Sequence, residues 1–394
     1  MRALPKSSVR SRAHFRARAV ALVLAAAWVA IALPAASTPV EDAAVAFQRG
    51  DYETALKLFR PLAEAGDAAA QFGLGSMYAD GRGLPRDYAE AIKWYRKAAE
   101  QGFTLAQNNL ATMYDKGRGV APDYAEAAKW YRKAAEQGDV YAQISLGSMY
   151  YRGRGVGHDY GEAAKWYRRA AEQGNATAQA QLGELYERGR GVPQDYALAL
   201  GWYGKAADQG NPTARLRMAL MYLEGRGVAK DLARAFALLR PLADMGNSDA
   251  QTTLGNMVAQ GMGGPKDERL ASQWYRRAAD QGNAIAQFNL GLLYYHGRGV
   301  AQSYAEAAKW YRRAADRGYP TAQYNLGLMY EKGQSVPPDR REAYLWLNLA
   351  AARFGDDDAE NRARAAVARE RVAAQLTPAD IAAAQQRAAQ WKPR

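Results

Sequence analysis

Residues 139–174 read DVYAQISLGSMYYRGRGVGHDYGEAAKWYRRAAEQG. Two helices separated by glycine-rich turns are written into this stretch. Asp139, directly after Gly138, is placed to cap the first helix, because a short oxygen-bearing side chain accepts from amides that a helix N-terminus leaves open. Ala142, Leu146, Met149 and Tyr150 then recur at helical spacing and form one apolar face. Gly153 marks the end of that helix, and GRGV turns the chain. Asp159 caps the second helix, and Glu162 three residues later completes a capping-box-like pair. Ala163, Trp166, Tyr167, Ala170 and Ala171 carry its buried stripe, and Gly174 ends it. Each helix is about 13 or 14 residues, roughly 20 Å long. Neither can fold alone at that length, so the unit has to stack on others like it.

Working outward, the stretch recurs every 36 residues. Trp94, Trp130, Trp166, Trp202, Trp274, Trp310 and Trp346 stand on that period, and Leu238 fills the vacant rung. A strict long period denotes stacked supersecondary units rather than one closed core. A small slot reads Gly75, Ala111, Gly147, Gly183, Ala219, Gly255, Gly291 and Gly327, which predicts close approach of a neighbouring helix. A glutamine recurs at Gln71, Gln107, Gln143, Gln179, Gln251, Gln287 and Gln323, with Arg215 as the exception. Its place beside a buried stripe predicts hydrogen bonds to turn backbone between units. A cation- or sugar-stacking role for the Trp ladder is conceivable. The Ala-rich stripe and the Leu238 replacement favour core packing, with about 150–250 Å² covered per ring.

The phrases A-Q-x-x-L-G-x-M-Y, G-R-G-V, D-Y-x-E-A-A-K-W-Y-R-K/R-A-A and E-Q-G resemble the Sel1-like repeat family, from about Asp67 to Gly355. The 36-residue period separates them from ordinary tetratricopeptide repeats, which use 34. The resemblance implies an all-α fold: a right-handed α/α superhelical solenoid of helix-pair repeats that serves as an adaptor. It also implies an exported bacterial protein tied to envelope assembly, signalling, polysaccharide export or host contact. The family brings no shared catalytic residues.

The expected organisation is a signal peptide at 1–37 and a tetratricopeptide-like helix pair at 38–66. Eight repeats follow at 67–102, 103–138, 139–174, 175–210, 211–246, 247–282, 283–318 and 319–355, then capping helices at 356–394. The leader carries Arg2, Lys6, Arg10, Arg12, Arg16 and Arg18 with no acid. Ala19–Leu33 is an apolar run short for a spanning helix but suited to a signal core. Ala35-Ala36-Ser37 is the expected cut, which places the mature chain in the periplasm or outside the cell with no stable membrane span. An uncleaved anchor is the alternative. Losing the leader's six basic residues takes the formal charge from +13 to +7. That remainder is interleaved with acids along the repeats, which argues against a nucleic-acid stripe. There is no cysteine, so stability rests on burial between repeats.

The period has irregular places. The phrase KLFRPLAEAGD at 57–67 returns as ALLRPLADMGN at 237–247, with Pro61 and Pro241 180 residues apart. Five whole repeats separate them, as an old duplication would leave. Pro inside a helix removes a donor, and GMGGP at 261–265 replaces GRGVP. Residues 236–267 therefore read as a local bend, with neutral drift as the rival reading. After Gly355, Asp356–Asp358 precede one helix to about Gln375. Thr377-Pro378-Ala379-Asp380 starts a second, with Trp391 plugging the last groove.

No catalytic constellation is present. His158 and His296 occupy different slots, no metal-ligand spacing appears, and no cofactor is expected. The repeated acids read as caps and helix pairs such as Glu126–Lys129. The positions that vary between repeats lie on the first helix, away from its apolar stripe. They include Phe72, Asn108, Asn109, Ile144, Ser145, Gln181, Glu184, Arg217, Leu220, Asn256, Phe288, Asn289, Leu292, Tyr324, Asn325 and Leu328. In a solenoid these first helices line the concave wall, and such side chains suit a protein or peptide ligand. The expected function is a non-enzymatic exported scaffold. Binding of peptidoglycan or exopolysaccharide is the alternative, and an envelope hydrolase or β-lactam-binding activity is a third.

Overall fold

A computed structural model describes residues 38–334 and 337–393. The leader reading falls outside the described residues. Every described element is helical: twenty α-helices and one short 3-10 turn. The chain opens with the pair Pro39–Arg49 and Tyr52–Glu64. First helices of the repeats are Ala68–Asp80, Thr104–Lys116, Val140–Arg152, Ala176–Arg188, Pro212–Glu224, Ser248–Gln260, Ala284–His296 and Pro320–Lys332. Second helices are Tyr88–Glu100, Tyr124–Glu136, Tyr160–Glu172, Tyr196–Asp208, Leu232–Asp244, Glu268–Asp280, Tyr304–Asp316 and Arg340–Arg353. The chain forms two compact units: the residues up to Ala178 with Gly189–Pro193, and Gln179–Arg188 with the residues from Gln194 on.

The caps fall where the sequence places them, with one difference. Asp139 accepts from the Ala142 amide at 2.6 Å, and Gly153 closes the helix at φ +64°. Asp159 accepts from Gly161 and Glu162 amides at 2.8 and 3.0 Å. Glu162 does not complete a capping box. Its carboxylate pairs with Lys165 at 2.6 Å instead, since one helical turn away a cation outcompetes a neutral amide.

Two ladders hold the helices together, one within each repeat and one that also reaches the repeat before it. In the small slot, the glycine lets the second helix's tyrosine lie flat on the first helix: a Cβ on Gly147 would be 2.9 Å from the Tyr167 ring. The same holds for Gly75 under Tyr95, Gly183 under Tyr203, Gly255 under Tyr275 and Gly291 under Tyr311. The glutamine slot forms a polar spine. Gln143 donates to the Ala135 carbonyl at 3.1 Å, and its own oxygen accepts from Gln173 at 2.9 Å. Gln107 with Gln137 (2.7 Å) and Gln251 with Gln281 (2.9 Å) repeat the arrangement. The expected interrepeat bonds are thus present, carried by two glutamines per joint.

The Trp ladder is mostly core. Trp130, Trp166, Trp274, Trp310 and Trp346 are buried, while Trp94 and Trp202 are half-buried. A basic residue three positions on covers the ring's outer side, as Lys133 does at 4.3 Å from Trp130 and Arg169 at 4.5 Å from Trp166. Such cation–π contacts are intramolecular seals over the core.

The irregular segment keeps its helices. Leu232–Asp244 continues through Pro241, and Gly261 and Gly263 hold the same left-handed φ as other turns, +70° and +82°. Its side chains change together instead. Met245 stands in the spine position and is 72% exposed, opposite the exceptional Arg215, which reaches the Ala207 carbonyl at 3.3 Å. At the C-terminus, Ala359–Ala373 and Pro378–Gln390 pack on Arg340–Arg353. Trp391 meets Trp346 edge-on at 6.4 Å under Arg353 at 4.2 Å, the plug the sequence predicts.

Candidate functional site

The first-helix wall follows from helical spacing. Positions i, i+3, i+4, i+7 and i+11 share one face, so the wall of Val140–Arg152 is Tyr141, Ile144, Ser145, Ser148 and Arg152. The wall of Thr104–Lys116 is Leu105, Asn108, Asn109, Thr112 and Lys116. None of the sixteen candidate residues is fully exposed. Phe72 is buried, and Asn108, Asn109, Ile144, Ser145, Gln181, Glu184, Arg217, Leu220, Asn256, Phe288, Asn289, Leu292, Tyr324, Asn325 and Leu328 are half-buried.

Several wall polar groups are committed to the ring beneath them. Each buried tyrosine of the small slot needs a partner for its hydroxyl, and for Tyr95, Tyr131, Tyr275 and Tyr311 the wall supplies it. Tyr95 donates to Ser76 at 3.2 Å and also bonds Asn109. Tyr131 meets Thr112 at 3.0 Å and Ser145. Tyr275 donates to Asn256 at 2.7 Å, which also accepts from Asn289 at 2.9 Å. Asn325 bonds Tyr311. Burial drives these phenols up: Tyr95 to about 12, with Tyr131, Tyr203, Tyr275 and Tyr311 also raised. They stay neutral at physiological pH.

Five of the candidate wall residues also make contacts within the fold. Phe72 and Phe288 are not free anchors. Phe72 packs against Tyr95 at 5.7 Å and Phe103 at 5.3 Å, and Phe288 against Tyr311 at 5.6 Å and Tyr319 at 5.3 Å. Phe103 and Tyr319 stand where other repeats carry a capping Asp or Asn, and both helices lack a side-chain cap. The cap was exchanged for an aromatic cluster. Tyr324 is covered from the side: it packs on Ala350, Phe354 and Ala365, the last on helix Ala359–Ala373, which Arg371 ties to Glu331 at 2.7 Å. Leu328 packs against the core cluster that holds Ala368 and Val372. Glu184 is paired with Arg188 at 3.0 Å.

Sequence reasoning missed the wall's most open apolar side chains. Tyr141 is 54% exposed and Ile285 46% exposed. Both sit one turn before slots that were compared between repeats, on the same helical face. Extending the comparison by one turn finds them.

A second recurring feature is the reach of several turn residues onto the preceding first helix, 39 positions earlier. Arg154 meets Asp115 at 3.5 Å, Arg190 the Tyr151 hydroxyl at 2.7 Å, and Arg226 Glu187 at 3.4 Å. Glu187 is buried and also accepts from Tyr203 at 2.7 Å. Among the described residues, no group of His, Cys, Asp and Glu is placed to hold a metal ion.

The comparisons with known proteins agree with this geometry. The family description "Sel1 repeat" matches residues 46–67, 68–103, 104–139, 140–175, 176–211, 212–247, 248–283, 284–319 and 320–353. No curated protein matches the chain. Among solved structures, the chain is similar to c5321, described as a protective antigen present in uropathogenic Escherichia coli strains displaying an SLR fold. The two are 31% identical over 95% of this chain and 94% of that one, with a TM-score of 0.56. A Sel1 repeat protein from Oxalobacter formigenes is 33% identical over 84% of this chain and 95% of that one, with a TM-score of 0.65.

Proposed function

The chain belongs to the Sel1 repeat family, whose repeats generally act as protein-interaction scaffolds, and from that premise we propose that it is an exported, non-catalytic scaffold of the cell envelope. It binds a protein or peptide segment along the wall of its first helices. The observation that carries this reading is the contrast between slots. Buried positions hardly change from repeat to repeat, whereas wall positions change at nearly every step and include the open side chains Tyr141 and Ile285. Packing accounts for the constant positions; recognition accounts for the variable ones.

Export rests on the basic leader and the Ala19–Leu33 run. Affinity capture from envelope fractions, read by mass spectrometry, tests both parts. The expected result is a recurrent protein partner and a mature N-terminus near Thr38. Recovery of cell-wall fragments or exported polysaccharide in place of protein is the result that favours the alternative ligand, for which the exposed Tyr141 ring offers a stacking face.

A further inference from the structure

One first-helix position decides whether a turn arginine is neutralised. Where that position is a carboxylate, as at Asp115, the arginine forms an ion pair with it. At Tyr151 the partner is a hydroxyl, which accepts Arg190's hydrogen bond but leaves its charge. Arg152, the next residue on that helix, is exposed and has no carboxylate partner. Arg118 corresponds to a helix position occupied by Ala79 and likewise forms no ion pair. Nearby acids are already engaged. Asp115 is shared by Lys116 at 2.6 Å and Arg154, and Asp123 and Asp159 cap helices through backbone amides.

The second unit treats the same positions differently. Arg188 is paired with Glu184, and Arg226 with Glu187 and Glu224. Met262 and Gln334 replace the next arginines, and Arg298 alone stays unpaired. The first unit therefore concentrates uncompensated guanidinium charge along one edge. Arg154 lies 3.9 Å over the Tyr124 ring and Arg190 5.3 Å over Tyr160. On Arg190, stacking holds the flat face and leaves the N–H groups not bonded to Tyr151 available to a carboxylate. The edge is continuous with the wall, because Lys116 and Arg152 end the same helical stripes that carry Leu105 and Asn108, and Tyr141 and Ile144.

We propose that this wall and edge of the first unit receive an acidic polypeptide segment. Its Asp or Glu carboxylates meet Arg118, Arg152 and Arg190, and its intervening apolar side chains meet Leu105, Tyr141 and Ile144. The aliphatic pair Leu105 and Ile144 fits side chains of a polypeptide rather than sugar rings, which stack on aromatic faces. The inference rests on the reading that the first-helix wall binds polypeptide and adds the chemistry of that ligand.

The test uses the full chain and a labelled extended peptide alternating Glu with Leu, beside a twin with Gln in place of Glu, read by fluorescence anisotropy. The Glu peptide is expected to bind about tenfold tighter or more, since each charge-assisted hydrogen bond outweighs a neutral one. Its advantage should shrink with salt. Arg152→Gln with Arg118→Gln, which breaks no hydrogen bond or ion pair in the fold, should remove the preference without moving the thermal midpoint. Tyr141→Ala with Ile144→Ala should weaken both peptides. Equal binding of the twins, or no binding of either, overturns the acidic ligand. Twins that bind equally but lose affinity in the Tyr141/Ile144 variant leave the wall reading standing. Displacement of the Glu peptide by polygalacturonate at equal carboxylate concentration overturns the polypeptide assignment.

Discussion

At the scale of single residues, most of the joint chemistry was legible because each role demands a particular side chain at a fixed phase. Glycine at 147 is required by a tyrosine ring, and glutamine at 143 by a carbonyl and a second glutamine. What the sequence hid was competition. Asn109, Ser145, Asn256 and Asn325 look like free wall amides and hydroxyls, yet buried phenols take them, and only the three-dimensional stack brings the two sets together. Two predictions belong here. A Cβ on Gly155 would lie 2.1 Å from the Tyr124 carbonyl oxygen, whereas one on Gly138 meets nothing within 4 Å; both glycines have positive φ. Gly138→Ala should cost about 1–2 kcal/mol from backbone strain alone, and Gly155→Ala clearly more, as urea midpoints would report. Equal costs would mean that the turn does not press on the helix below it. The second concerns Tyr95, whose phenol burial pushes up to about 12 from 10.0. The neutral phenol is the folded form, so its contribution is whole below pH 10 and is lost as pH rises from there through 12. At about 1.4 kcal/mol per pH unit, the loss approaches roughly 3 kcal/mol. Tyr95→Phe should flatten that part of the alkaline unfolding curve; an unchanged slope would show that the hydroxyl is not held neutral.

At the scale of elements, the helix-pair repeat, its caps and the C-terminal plug were readable from periodicity, because 36 residues of pattern recur often enough to average out local exceptions. The exceptions were harder. The segment around 236–267 reads as damaged when each change is judged alone: a proline, a lost tryptophan, a lost turn arginine. In the fold the changes come as pairs. Arg215 faces the position where Met245 has replaced the spine glutamine, and Leu223 corresponds to Met262 as Asp115 does to Arg154. A single chain cannot reveal that residues 30 or 39 apart touch until one joint has been seen. The spine's open ends follow the same logic. Gln287 and Gln323 keep buried side-chain oxygens without a donor, where Arg317 and Arg353 replace the expected glutamines. Restoring one joint tests the pairing. Arg215→Gln with Met245→Gln should stabilise the protein by about 1 kcal/mol beyond the sum of the single changes, in a double-mutant cycle by chemical denaturation. Strict additivity would mean that the spine is not a coupled element.

At the scale of the whole molecule, the two compact units share one repeat but differ in what they offer. The first carries Tyr141, Ile144 and an edge of unpaired arginines. The second carries Ile285 and Leu292 with most of its turn charges compensated or absent. Composition alone conceals this, since the basic residues appear evenly interleaved along the sequence; only their ion pairs separate free charge from spent charge. The central claim is that binding lives on the first helices and not on the outer second-helix face, where Lys309 pairs with Glu306 at 3.2 Å and Arg313 covers Trp310 at 4.6 Å. Changing Phe288 or Tyr324 is a poor test, because both are packed and their loss would also cost stability. The direct measurement is quantitative capture of whichever protein partner affinity capture identifies, by purified protein carrying Tyr141→Ala and Ile285→Ala, against protein carrying Lys309→Ala and Arg313→Ala, with thermal midpoints recorded for both. The wall pair should reduce capture by about tenfold or more with its midpoint nearly unchanged, and the outer pair should alter little beyond salt dependence. Capture that survives the wall changes and disappears with the outer ones would contradict the account and place the site on the second helices.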